Sequence, residues 1–356
     1  MVSDVPLGAF LSGGIDSSLV AALMCKISKQ VPRTFSIGFD DPTYNEAPYA
    51  KAIAQHLGTD HTQVILSQAD ALAIVPKLPS VYSEPFADSS QIPTRLVSEV
   101  ARRSVTVALS GDGGDELFSG YDRYRYWPKI SLAQKLTPAL VRRAVTHGST
   151  RLAGRLLSGK KADRTRKLLR SFGSPSGAGY RCLMSDNDHA PSFVIDASDL
   201  PSFHQSDNIQ LLDTLTYLPD DILTKVDRAS MSVGLEVRVP LLDPDVFEFS
   251  WSLPPHLRFD GSYGKVALRR VLERHVPTKL FERPKTGFGV PVSSWLRGPL
   301  RAWAEELLDP VLIREQGLLR AEKVTVIWSE HVEKSIDNGP QLWPIVMLQA
   351  WLQEHR

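Results

Sequence analysis

The sequence predicts an α/β protein: a doubly wound parallel sheet with a largely helical remainder. Three observations carry that expectation. An apolar run, Leu7-Gly8-Ala9-Phe10-Leu11, leads into a glycine-rich loop, Ser12-Gly13-Gly14-Ile15-Asp16-Ser17-Ser18, and then into the helical pattern Leu19-Val20-Ala21-Ala22-Leu23-Met24. Strand-like and helix-like stretches alternate from there to Leu109. A second glycine-rich loop, Ser110-Gly111-Asp112-Gly113-Gly114-Asp115-Glu116, follows the last of those strands.

The elements read in order as follows. A helix runs from the first loop to about Lys29. Arg33–Phe39 alternates as a second strand. Asn45-Glu46 caps a second helix, apolar at Ala50, Ile53, Ala54 and Leu57, and Gly58 ends it. Val64-Ile65-Leu66 is a third strand, Ile92 to Arg103 a helix, and Val105–Leu109 a fourth strand. Such alternation implies right-handed crossovers, which put a site at the carboxyl ends of the strands where strand order reverses. Residues 130 to about 207 read as helical and irregular, and the chain beyond 208 as helical with short breaks. Trp343, Met347 and Trp351 fall four apart, a core-packing pattern.

Bulk composition limits the function classes. The chain has 356 residues, 42% hydrophobic and 23% charged, with a net charge of +1, so nothing overall draws it to nucleic acid or to a membrane surface. Apolar runs are far shorter than a membrane span, and no secretion signal opens the sequence. Two cysteines, Cys25 and Cys182, make no disulfide framework, and the scattered histidines make no zinc pattern. A reducing cytoplasm fits. The stretch Arg151 to Arg170 holds eight Lys/Arg and one Asp but no aromatic beyond them, which favours a solvated helix face over an RNA surface.

The first loop carries the chemistry. Its glycines let backbone approach an anion, and its serine hydroxyls and helix-start N–H groups face one. A carboxylate there, Asp16, points to a cation held between it and phosphates. A plain Gly/Ser-rich helix cap is the alternative. No Gly-Lys-Ser/Thr follows, so it is not a Walker A loop. The loop resembles the SGGxDS pyrophosphate (PP) loop of the N-type ATP pyrophosphatases.

Three further strings extend the resemblance. They are Leu218 to Met231 (LPDDILTKVDRASM), Glu236 to Asp243 (EVRVPLLD) and Arg283 to Phe288 (RPKTGF). With the two glycine loops they resemble the synthetase domain of glutamine-dependent asparagine synthetases, from about Val5 to Leu352. The resemblance implies a Rossmann-like fold, with residues 1–128 as nucleotide-binding core, 129–207 as a helical insertion and 208–356 completing the active site. It implies ATP and Mg2+ as cofactors. Leu11, Ile37, Ser110 and Gly111 match positions that hold adenosine, and Ser12, Gly13, Gly14, Asp16, Ser17 and Ser18 the pyrophosphate loop. Asp16 and Asp115 match the metal ligands, Lys285 the lysine that grips the leaving pyrophosphate, and Arg228 a basic residue near it. Asp112 stands where relatives carry Glu as proton acceptor.

The activity implied is adenylation of a carboxylate, foremost the aspartate side chain, followed by attack of ammonia to give asparagine and AMP. Another acceptor (a sugar acid, a β-lactam or a peptide precursor) and a non-catalytic nucleotide-binding subunit are the alternatives. Determinants of the acceptor are expected around Glu84 to Gln91. Lys225 and Arg228 read equally as ion-pair partners of Asp220, Asp221 or Asp227, Glu236 and Arg238 as a structural pair, and Asp243 as a cap before Pro244. Family members open with a glutaminase domain whose first residue after Met removal is Cys. Val2 stands in that place, so the expectation is that this chain does not hydrolyse glutamine alone. It is then a fragment, or it takes ammonia from solution or from a glutaminase partner.

Overall fold

In the computed structural model, which describes residues 3–42, 44–156, 159–174, 178–184, 205–283, 289–334 and 336–355, the first apolar run is β1 (Leu7–Phe10). The helix after it, α1 (Ile15–Ile27), buries Ser17, Ser18, Leu19, Val20, Ala21, Ala22 and Met24, so it is covered on more than one side. It ends two residues before the expected Lys29, because Ser28 turns to extended backbone. Next come β2 (Arg33–Phe39), α2 (Ala47–Leu57) and β3 (Asp60–Leu66). The Asn45 side chain accepts the Ala47 N–H at 3.1 Å, and Gly58 ends α2 in the left-handed region, as the sequence suggested.

β3 is longer than the expected Val64–Leu66, since Asp60 to Gln63 are polar residues that pair fully along β2. A short helix, α3 (Gln68–Ile74), precedes α4 (Gln91–Arg102). β4 (Val107–Leu109) is shorter than expected because Val105 N–H still bonds the helix carbonyl of Ala101. One turn of helix, α5 (Gly114–Leu117), follows the second glycine loop.

The sheet has five parallel strands in the order β3-β2-β1-β4-β5, with β5 at Glu236–Arg238. β5 lies in the stretch read from sequence as helical, and it is the main correction to that reading. Glu236 and Arg238 do form the expected ion pair, at 2.6 Å and half-exposed, but they do so on an edge strand paired to β4. Strand order reverses between β1 and β4, so the loops after those two strands face one crevice. The core on one side of the sheet joins Leu11, Leu19, Ala22, Ile53, Phe118, Leu268 and Phe281, and a smaller cluster joins Ala9, Val20, Met24, Leu109 and Leu241.

The chain divides into two compact units. One contains the sheet and comprises Met1–Tyr82, Asp88–Tyr121 and Asp213–Val290. The other comprises Ser83–Ala87, Asp122–Leu212 and Pro291–Arg356. Its helices include Asp122–Leu136, Ala139–Leu156, Gly159–Gly173 and Gly339–Glu354. In the last of these Trp343 and Met347 are buried, whereas Trp351 is half-exposed and stacks on His355 at 4.3 Å, so the core pattern covers two of the three positions. Within the basic stretch, Arg164 bonds Tyr126 and Asp122, and Arg166 donates to the Asp337 carbonyl at 3.2 Å. No described helix is long and apolar enough to cross a membrane.

Candidate active site

The first glycine loop is held open by its own serines. Ser12 N–H donates to Ser17 Oγ at 3.2 Å, the two hydroxyl oxygens lie 3.0 Å apart, and Gly14 N–H donates to Ser12 Oγ at 3.3 Å. Leu11 is anchored by its N–H to Phe35 O at 2.9 Å and is fully buried. Ser18 is buried under the loop, and Ile37 is buried on β2.

The second loop lies directly on the first. A Cβ on Gly111 would meet Ser17 N at 2.7 Å and Asp16 Cβ at 2.8 Å, so only glycine allows the two loops this close. Ser110 N–H donates to Arg238 O at 2.9 Å, and β5 thereby fixes the start of that loop. Asp16 and Asp115, from separate loops, converge on the Lys265 ammonium, with Asp115 Oδ1 at 2.8 Å and Asp16 Oδ2 as the other partner. All three side chains are largely buried, Lys265 at 8% exposure, Asp16 at 16% and Asp115 at 19%. Burial works to lower the Lys265 pKa, but Asp115 and Asp16 outweigh it and hold the ammonium above its ordinary value.

The sequence reading did not single out Lys265. It stands 249 residues from Asp16, and a lone Lys after Gly264 carries no local signal. Arg283, in the RPKTGF string, also reaches the first loop. Its guanidinium donates to Glu46 at 2.8 Å and to the Ser12 carbonyl at 3.4 Å, and it lies 4.3 Å from the Tyr49 ring centre. Lys285 itself falls outside the described residues, but Arg283, two residues earlier, is tied to the first glycine loop.

A second buried cluster lies beside Asp112. Lys225 pairs with Asp88 at 2.7 Å, and Asp88 also accepts from Ser90 N–H at 2.9 Å and Ser90 Oγ at 2.6 Å. Lys225 is thus an ion-pair partner, in direct contact with Asp88, 137 residues away in sequence, with the charge of Asp221 also acting on it. Asp88 lies within Glu84 to Gln91. Burial pushes the Asp112 carboxyl up, and Lys225 and the Ser110 hydroxyl offset part of that. Asp221 sits in a π-helical turn, Leu218–Leu223, a local form frequent at functional sites.

Burial first, and then the neighbouring Asp88, pushes Asp221 up to about 7. An unfolded chain releases that proton near pH 4, whereas the folded chain keeps it, so this contribution is full below about pH 4 and is lost as pH rises toward 7. Asp221→Asn copies the protonated form. Its melting temperature relative to wild type is expected to climb by a few degrees between pH 4 and pH 8. Parallel melting profiles across that range would remove the assignment.

Arg228 is not gathered into either cluster. It is half-exposed, 3.8 Å from Asp227, and lines a cavity of about 500 Å³ with Lys77, Ser80, Val81, Arg95, Met231 and Ser232. Asp243 caps the helix after it, accepting Asp245 N–H at 3.0 Å, as expected.

Two carboxylates on one cation are the hard oxygen donors that suit Mg2+, and their shared ammonium marks a point where positive charge is already stabilised. The chemistry of this pair fits such a metal. Among the described residues no group of three or more His, Cys, Asp or Glu is arranged to hold a metal ion.

A sequence model of the asparagine synthase family matches residues 1–353. Asparagine synthetase (glutamine-hydrolyzing) 1 of Bacillus subtilis is 29% identical over 99% of this chain and 56% of its own length. Asparagine synthetase (glutamine-hydrolyzing) 3 of the same organism is 26% identical over 100% and 58%. Amidase chyE of Penicillium rubens is 25% identical over 89% and 54%. The chain thus spans a little over half the length of these relatives.

Proposed function

The chain belongs to the asparagine synthase family, and from that premise we propose that it is an ATP-dependent, AMP-forming carbon–nitrogen ligase acting on the aspartate side chain. The observation that supports this most is the meeting of two strand-end glycine loops whose carboxylates, Asp16 and Asp115, share one cation. In this reading residues 1–128 bind the nucleotide, 129–207 are a helical insertion and 208–356 complete the site. Lys225 and Lys265, both from the third stretch, support that division.

The proposed steps follow from the residues. Leu11, Ile37, Ser110 and Gly111 hold adenosine, and Ser12 to Ser18 cradle the β- and γ-phosphates. The substrate carboxylate attacks the α-phosphorus, and the bond to the bridging oxygen breaks. Mg2+ bound to Asp16 and Asp115 supplies charge neutralisation on the phosphates. Lys285 stabilises the departing pyrophosphate, and Arg228, which pairs with Asp227 outside both clusters, takes no step. Ammonia then attacks the acyl carbon and AMP leaves. Asp112, whose proton affinity burial raises, takes the proton that the amine sheds.

The test is pyrophosphate release across a panel of carboxylates with ammonium chloride supplied. Aspartate is expected to raise the rate at least tenfold over the other acids, with asparagine formed in step. Response to a different carboxylate would reassign the acceptor, and no response to any would overturn the ligase reading. Ammonium chloride is expected to support amide formation by this chain where glutamine does not. Turnover with glutamine alone would show a nitrogen source within the chain.

A further inference from the structure

The ammonium of Lys265 sits between the two carboxylates to which the proposed function gives Mg2+. We propose that Lys265 is a built-in cation that competes with a divalent metal for the Asp16–Asp115 pair, and that it yields the pair when nucleotide phosphates offer it another partner. This rests on the metal reading of those two aspartates and goes beyond it, because it makes metal and nucleotide binding depend on each other.

The fold places this lysine deliberately. Lys265 has φ 59°, one of three non-glycine residues among those described with left-handed backbone. A residue in that region persists when its surroundings over-determine it, and such residues gather at functional sites. Here the surroundings are visible. Lys265 N–H donates to Phe118 O at 2.8 Å, and Lys265 O accepts Arg269 N–H at 2.8 Å, which starts the helix Val266–Leu272. Phe118 directly follows α5, which carries Asp115. The preceding Gly264 lies so close to that loop that a Cβ would fall 2.1 Å from Ser119 O. Gly120 seals the arrangement: a Cβ there would lie 2.0 Å from Asp115 Oδ1 and 2.1 Å from Lys265 Cε. A lysine chosen only for solubility would not be folded into such a place.

The charges explain the competition. Two carboxylates and one ammonium carry a net charge of −1. A divalent ion added to the same oxygens would stand against the ammonium at close range in a buried setting, where like charges repel strongly. The two cations therefore do not share the pair. Displaced, the ammonium needs a new anion, and the nearest expected one is the polyphosphate carried by the adjoining loop of Asp16. Metal alone must drive a buried cation from its partners, whereas metal with nucleotide does not. Their affinities are then coupled, by the same factor in both directions.

The test is Mn2+ binding to the nucleotide-free protein, followed by electron paramagnetic resonance. Lys265→Gln keeps a hydrogen-bond donor and removes the charge. It is expected to bind Mn2+ at least tenfold more tightly than wild type, and Lys265→Arg no more tightly than wild type. Equal or weaker binding by Lys265→Gln overturns the proposal. If Lys265→Gln unfolds without metal, millimolar Mg2+ or Mn2+ is expected to restore its melting transition, and a variant that stays unfolded with metal is equally fatal. Adding Asp16→Asn to Lys265→Gln separates this inference from the reading beneath it. Loss of the gained site supports both, whereas retention shows that the metal lies elsewhere and that the assignment of Asp16 is at fault.

Discussion

Asp16→Asn and Asp115→Asn are each expected to lower carboxylate-dependent pyrophosphate release at least a thousandfold, while the melting temperature drops by only a few degrees. A metal that neutralises transition-state charge contributes several kcal/mol, and about 1.4 kcal/mol is tenfold in rate. Each amide keeps the shape of the side chain and removes one negative charge. Lys265 would still have the other carboxylate, so no buried ammonium is left without a partner and the fold survives. ATP–pyrophosphate exchange measured beside the melting curve checks both halves. Near-normal exchange in either variant, with an intact transition, would take that aspartate out of the metal site.

Lys285→Ala and Asp112→Asn are expected to fail at different steps. Lys285→Ala should lose pyrophosphate release with or without ammonia, by a hundredfold or more, because a fixed cation acts as the leaving group departs. The tether of Arg283 to Glu46 and to the Ser12 carbonyl supports that role, since it ties the preceding residues to the pyrophosphate loop. Asp112→Asn should keep most of its aspartate-dependent pyrophosphate release and lose the amide product, by the hundred- to ten-thousandfold typical of general base catalysis. Its acyl-adenylate, formed as pyrophosphate leaves, would then go to water, giving AMP and aspartate without asparagine. Pyrophosphate and amide are measured in parallel. A normal ratio of the two in Asp112→Asn would make that carboxylate structural, placed to balance Lys225.

The sequence made much of this legible, and the exceptions share a cause. The first glycine loop, β2 and the capped α2 depend on residues close to one another in the chain, so local pattern suffices to find them. β5 escaped because an alternation of only three residues, Glu236-Val237-Arg238, is too short to stand out, and only pairing with β4 makes it a strand. Lys265 escaped for the same reason, since its meaning lies in two carboxylates far away in sequence. Lys225 was half legible. Its need for a carboxylate could be expected, but three aspartates lay nearby in sequence and a fourth, Asp88, lay nearby in space. The resemblance supplied roles for individual residues that spacing alone could not.

The position of β5 in the sheet has a consequence for how the protein is made. Its partner β4 ends at Leu109, yet β5 begins at Glu236, and Lys265 comes later still. A ribosome must therefore release well over half the chain before β4 gains its second neighbour or the Asp16–Asp115 pair its cation. Until then β4 presents an open edge, and two acidic loops face each other uncompensated. Such late, long-range closure slows folding and prolongs exposure to aggregation. Synthesis of this site is thus finished from its far end, and a nascent chain stalled before residue 236 should bind chaperones more than one stalled after residue 290.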